Sequence, residues 1–236
     1  MQKITLLISL FILSTFSSYF LAESSPSRIL KEISVENHFI ALINSNSSNE
    51  GFDVPQRDIL SLGIKGFLKL KEEGSMPEGK PLTVIDFSLP STEKRMWIID
   101  MEDGVILHHG YVSHGRNSGD LMAQKFSNKN SSYMSSLGFY LTAETYHGKH
   151  GYSLRLDGLE PGFNDNARER AIVIHGAEYA REDFIKQTGR LGRSLGCPAL
   201  PQEVTAEIIN LIKERSVLFI YGKDDNYLNQ SQFLNA

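Results

Sequence analysis

The chain has 236 residues, 41% hydrophobic and 22% charged, which fits a soluble globular protein long enough to bury a core. Twenty-four Lys and Arg stand against 28 Asp and Glu, a formal net charge of -4. The two signs are interspersed without a basic block, which argues against nucleic acid as a partner.

Lys3 precedes an uncharged stretch from Ile4 to Ala22, and Ala22-Glu23-Ser24 brings small residues. That order is the order of a secretory signal peptide over residues 1–24, with cleavage before Ser25. The alternative is an uncleaved membrane anchor, since the stretch is nearly long enough to span a bilayer. The hydroxyl residues between Ser14 and Ser18 dilute it. An exported protein of the periplasm or cell envelope is expected, with no membrane partner beyond such an anchor.

Residues 25–81 read as a helical extension and linker. Ile59, Leu60, Ile64, Phe67 and Leu68 give an apolar face at helical spacing after Pro55, although Gly63 and Gly66 interrupt it. From Leu82 the pattern changes to short strands. TVIDFS (83–88) and RMWIID (95–100) are β-rich, Glu102-Asp103-Gly104 is a turn, and Val105 to Val112 returns as its hairpin partner. Leu137 to Tyr146 and Tyr152 to Leu156 read as two strands joined by a turn at His147 to Gly151. AIVIH (171–175) is a short strand ending on a histidine, and VLFIY (217–221) is a final strand. Ile208, Leu211 and Ile212 mark a helix over Thr205 to Arg215, with Pro201 suited to its start. The expected fold is mainly β over residues 82–222, with one C-terminal helix, a helical N-terminal extension, and a tail at 223–236.

Cys197 is the only cysteine. An exported protein that keeps one thiol without a disulfide partner raises the expectation that the thiol reacts; the bland reading is a small buried apolar residue. Its neighbours decide. They form Gly192-Arg193-Ser194-Leu195-Gly196-Cys197-Pro198, and Ile172-Val173-Ile174-His175-Gly176 lies upstream. A thiol attacks as its thiolate, so it needs a base or positive charge nearby, and His175 at a strand end can supply the base. With such a partner its pKa is expected below that of a free thiol. Gly196 lets the chain turn tightly, and the amides of Leu195, Gly196 and Cys197 can converge as an oxyanion hole.

Eighteen residues separate His175 from Ser194. His-Gly, that spacer and Ser-x-Gly-Cys together resemble the signature of the L,D-transpeptidase catalytic domain family (YkuD-like), as does Ser136-Leu137-Gly138-Phe139-Tyr140-Leu141 upstream. The resemblance covers about residues 83–221. Leu195 stands where the family usually has His or Arg, and Cys197-Pro198-Ala199 where Arg or Asn commonly follows, so the chain looks like a divergent subgroup.

The resemblance implies a mixed β-sandwich and a murein L,D-transpeptidase acting on peptidoglycan stem peptides. In it Cys197 attacks the diaminopimelate carbonyl of a tetrapeptide stem, D-alanine leaves, and a neighbouring amine resolves the thioester into a cross-link. Water as acceptor makes the same site an L,D-carboxypeptidase. The Gly176 carbonyl would orient His175, and no metal or cofactor is required. A non-catalytic wall-binding protein is the rival from another class. A papain-like protease is disfavoured, because there the cysteine precedes the histidine.

His108, His109, His114, His147 and His150 lack clustered acids or cysteines and read as surface or loop histidines rather than metal ligands, with His109 and His114 as candidates to line the cleft. Arg190, Arg193 and Arg155 are candidates to bind stem carboxylates, Arg193 foremost by its closeness to Cys197. Ser194 is grouped with Arg193 as a substrate contact, although hydrogen bonds to its own turn would suffice to explain it.

Overall fold

The structure is a computed structural model that describes residues 26–235. The signal segment read at residues 1–24 lies outside the described residues. Among those described, no helix is long and apolar enough to cross a membrane.

Helix α1 (Pro26–Ser45) is followed by a short 3-10 turn (Ser47–Asn49), whose Asn46 cap accepts from the Ser48 amide. The buried Asn49 side chain donates to the carbonyls of Ile43 and Gly104 and accepts from the Ile106 amide, which ties α1 to the first hairpin. Helix α2 (Arg57–Glu72) buries Ile59, Leu60, Ile64, Phe67 and Leu70 on one face. Asp58 in its first turn and Lys69 and Lys71 in its last complement the helix dipole. The two glycines that interrupt the pattern sit on that buried face. A Cβ on Gly66 would stand 2.2 Å from the Phe139 ring, so the glycine is where the sheet's aromatic side chain meets the helix backbone.

Eight strands follow: β1 (Leu82–Asp86), β2 (Met96–Asp100), β3 (Val105–Gly110), β4 (Gly138–Gly148), β5 (Gly151–Gly158), β6 (Val173–Gly176), β7 (Ala199–Leu200) and β8 (Val217–Tyr221). They form one sheet in the order β3-β2-β1-β8-β4-β5-β6-β7. β1 runs parallel to β8 and β6 parallel to β7, and the other neighbours are antiparallel. Just beyond β3, Ser113 exchanges backbone hydrogen bonds with Ala199 of β7. Opposite edges of the sheet are thereby drawn together. The mainly-β, mixed architecture expected from the sequence is realised in this single curled sheet. β1 is buried throughout and β8 nearly so, which is why both read as unbroken apolar runs.

Helix α4 (Gln202–Ile212) is the helix expected near the C-terminus, and it packs on β5 and β6. Two shorter helices accompany it: α3 (Glu182–Thr188), with no buried residue, and α5 (Asp225–Gln230). Core residues of α1, α2 and the sheet form one continuous apolar cluster that also takes in Tyr227, Phe233 and Leu234.

Candidate active site

Strand β6 is four residues long and wholly buried, held by antiparallel pairing to β5 (Ser153 opposite His175) and parallel pairing to β7 (His175 opposite Ala199). Cys197 lies two residues before Ala199, so the fold brings the two sequence segments onto neighbouring strands. The His175 ring is 3% exposed, and its Nδ1 lies 2.9 Å from the Gly176 carbonyl oxygen. A carbonyl only accepts, so Nδ1 carries the proton and Nε2 keeps its lone pair. Burial pushes the imidazole below its ordinary pKa, the Gly176 carbonyl pulls it up, and His150 pushes it down again. His150 stacks on the His175 ring, centroids 4.4 Å apart.

The Cys197 thiol is half-buried, with Sγ 3.6 Å from the Ala171 carbonyl. Burial pushes this thiol up, while the Val173 backbone and the Arg170 charge pull it down. The direction is opposite to the sequence expectation of a lowered thiol, and the cause is desolvation of the thiolate. Thiol and imidazole are both displaced towards their neutral forms. Burial is the largest cause at each group, opposed at the thiol by the Val173 backbone and Arg170 and at the imidazole by the Gly176 carbonyl.

The Ser194–Cys197 turn is cross-braced. Ser194 Oγ donates to the Cys197 carbonyl at 2.6 Å and accepts from the Gly196 amide at 3.0 Å. The Ser194 amide donates to the His114 carbonyl, and the Ser194 carbonyl accepts from the Arg116 amide. Gly196 has φ +125°, and a Cβ there would come within 2.8 Å of the Met134 carbonyl oxygen. Of the three amides expected to converge, Gly196's is thus engaged by Ser194 and withdrawn from that set. Those of Leu195 and Cys197 have no protein acceptor among the described residues. Leu195 is 58% exposed beside them.

Arg193 reaches the turn's flank rather than the thiol. It donates to the Gly119 carbonyl at 3.0 Å and pairs with Asp120 at 3.1 Å, while Arg190 pairs with the same carboxylate at 2.8 Å. Arg155 pairs with Glu144 at 3.1 Å.

A family model described as the L,D-transpeptidase catalytic domain matches residues 53–221. The chain belongs to that family. No curated protein matches it. Among solved structures, it is similar to an L,D-transpeptidase from Mycobacterium smegmatis (13% identity, 61% of this chain and 59% of that chain, TM-score 0.38). It is also similar to one from Mycobacterium tuberculosis (15%, 60% and 58%, 0.35) and one from Xylanimonas cellulosilytica (11%, 81% and 93%, 0.36). The chain spans less than three-fifths of the length of the two mycobacterial chains.

In this L,D-transpeptidase-family chain several histidines and arginines lie elsewhere than their sequence pattern suggests. His114 is not a surface histidine: it is fully buried, Nδ1 taking a 2.8 Å hydrogen bond from Arg95, which is itself fully buried. His109 stacks on Trp97 at 4.8 Å. His150 was read as a loop histidine, and only the β4–β5 hairpin brings it onto His175. Arg170 lies 27 residues before Cys197, and no sequence motif links the two.

Proposed function

We propose that the protein is an exported peptidoglycan L,D-transpeptidase with Cys197 as nucleophile and His175 as general base. The observation that carries this reading is the His175 Nδ1–Gly176 hydrogen bond at 2.9 Å. It fixes the tautomer that leaves Nε2 basic, on the strand parallel to the one that Cys197 leads into.

Starting from the neutral pair, His175 Nε2 takes the thiol proton as Sγ bonds to the diaminopimelate carbonyl carbon of a donor stem. The oxyanion is met by the amides of Leu195 and Cys197, which are unspent in the braced turn. Collapse breaks the bond to D-alanine, whose nitrogen leaves with the proton from the imidazolium. The side-chain amine of a second stem then attacks the thioester and gives its proton to His175. The C–S bond breaks, the cross-link forms, and the proton returns to sulfur. Every step balances with proton transfer alone. Residues 1–24 serve as the export signal in this reading, since the substrate lies outside the cytoplasmic membrane.

Incubation with defined tetrapeptide muropeptides, followed by mass analysis, tests the proposal. Cross-linked dimers with loss of D-alanine are expected; trimmed tripeptide alone would assign water as acceptor, and no product from any donor would overturn the reading. Cys197→Ala should abolish turnover. His175→Ala should cost about 10²–10⁴-fold in kcat, with the fold retained in both.

A further inference from the structure

Arg170 ends a turn that runs directly into β6. Two hydrogen bonds close that turn, from the Ile172 amide to the Ala167 carbonyl and from the Ala171 amide to the Arg168 carbonyl. This is the bond pattern of a Schellman ending, which places Ala171 in the left-handed region at φ +53°. Alanine there costs on the order of a kcal/mol, a strain that glycine would avoid. What the conformation achieves is local. It presents the Ala171 carbonyl to the Cys197 sulfur and aims the preceding Arg170 side chain at the same turn.

The guanidinium fills the space beside Gly196: an added Cβ on that glycine would lie 3.3 Å from Arg170 Nη2. It donates to the carbonyls of Ser127 (2.7 Å) and Met134 (2.6 Å) and to the hydroxyls of Ser136 (3.2 Å) and Ser132 (3.3 Å). All four acceptors are neutral. No carboxylate pairs with Arg170 among the described residues, and the acids beside it in sequence are engaged elsewhere. Asp165 accepts from Asn128 and Glu169 from Asn130, while Arg168 takes Asp157 and Glu144.

A half-buried cation without an anion is costly unless an anion forms near it. Two ionisable groups face Arg170: the fully buried Tyr140 and Cys197. The Tyr140 hydroxyl is bound to Ser136, and burial holds it protonated. Tyr179 faces the thiol from the 3-10 turn at Glu178–Ala180 and is kept neutral by burial up to about 12. The sulfur of Cys197 is the anion left to form.

We infer that Arg170 is a positioning residue that supplies the positive charge against which the Cys197 sulfur becomes anionic, while its four hydrogen bonds hold segment 127–136 over the nucleophile turn. The inference rests on Cys197 being the nucleophile. It gives a cationic role to Arg170 and leaves Arg193, paired with Asp120, outside it.

The test is titration of the thiolate's ultraviolet absorbance, taken as a difference against Cys197→Ser, in wild type, Arg170→Gln and Arg170→Lys. Loss of the charge in Arg170→Gln should raise the midpoint by about one pH unit. Arg170→Lys cannot make the forked bonds but keeps the charge, so it should loosen the segment while holding the midpoint near wild type. Arg170→Met takes the place of the glutamine variant if that one fails to fold. A midpoint indifferent to loss of the charge, or one moved as far by lysine as by glutamine, would overturn the inference and leave a purely structural brace. Absence of muropeptide turnover in wild type would sink the transpeptidase reading instead. An Arg170-independent midpoint in an active wild type would sink this inference alone.

Discussion

Gly196 and His114 each hold the turn that carries Cys197 through a different physical demand. At Gly196 the demand is space and backbone conformation, with φ at +125° and the Met134 carbonyl oxygen 2.8 Å from any Cβ. Gly196→Ala should cost about 1–3 kcal/mol in denaturant unfolding, and turnover should fall as well because the Leu195 and Cys197 amides move. At His114 the demand is charge. Burial, and then the Arg95 guanidinium, lower its pKa from 6.5 to about 4. The unfolded chain therefore binds this proton first. Stability is whole above pH 6.5 and falls as pH drops towards 4, by up to about 3 kcal/mol from this residue. His114→Asn keeps an acceptor for Arg95 but cannot titrate, so unfolding measured between pH 7 and 4 should show a shallower acid loss than wild type. Equal slopes would rule the buried imidazole out as the source.

Helix α2 shows propensity and packing pulling in opposite directions. Alanine is favoured over glycine in a helix interior by about 1 kcal/mol. At Gly66, however, a Cβ would sit 2.2 Å from the Phe139 ring, which also stacks on Phe219 of β8 at 4.4 Å. Overpacking of that kind costs about 1–3 kcal/mol, so packing should win and Gly66→Ala should lower the melting temperature. Phe139→Leu in the same chain should recover part of the loss, which a helix-propensity effect would not do. The apolar face of α2 and the run VLFIY of β8 were both legible from periodicity, because each segment is patterned by what it buries. β7 was not legible. A two-residue strand has no period, and its existence depends on β6 and Ser113 arriving beside it.

Across the whole molecule, the C-terminal segment is locked to the sheet through one carboxylate. Glu160 is 1% exposed and accepts from the Phe139 amide at 2.8 Å, from Tyr227 of α5 at 3.0 Å, and from Ser231. Burial pushes Glu160 up, and these three donors pull it back. Tyr227→Phe should therefore cost about 2 kcal/mol in equilibrium unfolding, while leaving the Cys197 midpoint where it was. A neutral effect would show that the clasp contributes only packing. By itself the sequence determined the mainly-β class, the hairpin turn at Glu102–Gly104, helices α2 and α4, and Cys197 with His175 as the chemically suspect pair. Those features are written in local pattern, residue type and spacing. Only the tertiary structure decided that Gly196's amide is already engaged, that burial pushes the thiol up and the imidazole down, and that His150, Arg95 with His114, and Arg170 gather around the segments that carry Cys197 and His175. The reason is that desolvation and hydrogen-bond pairing depend on which distant segments meet. Here the curl of one sheet and the strained turn at Ala171 set those meetings, and neither leaves a periodic trace along the chain.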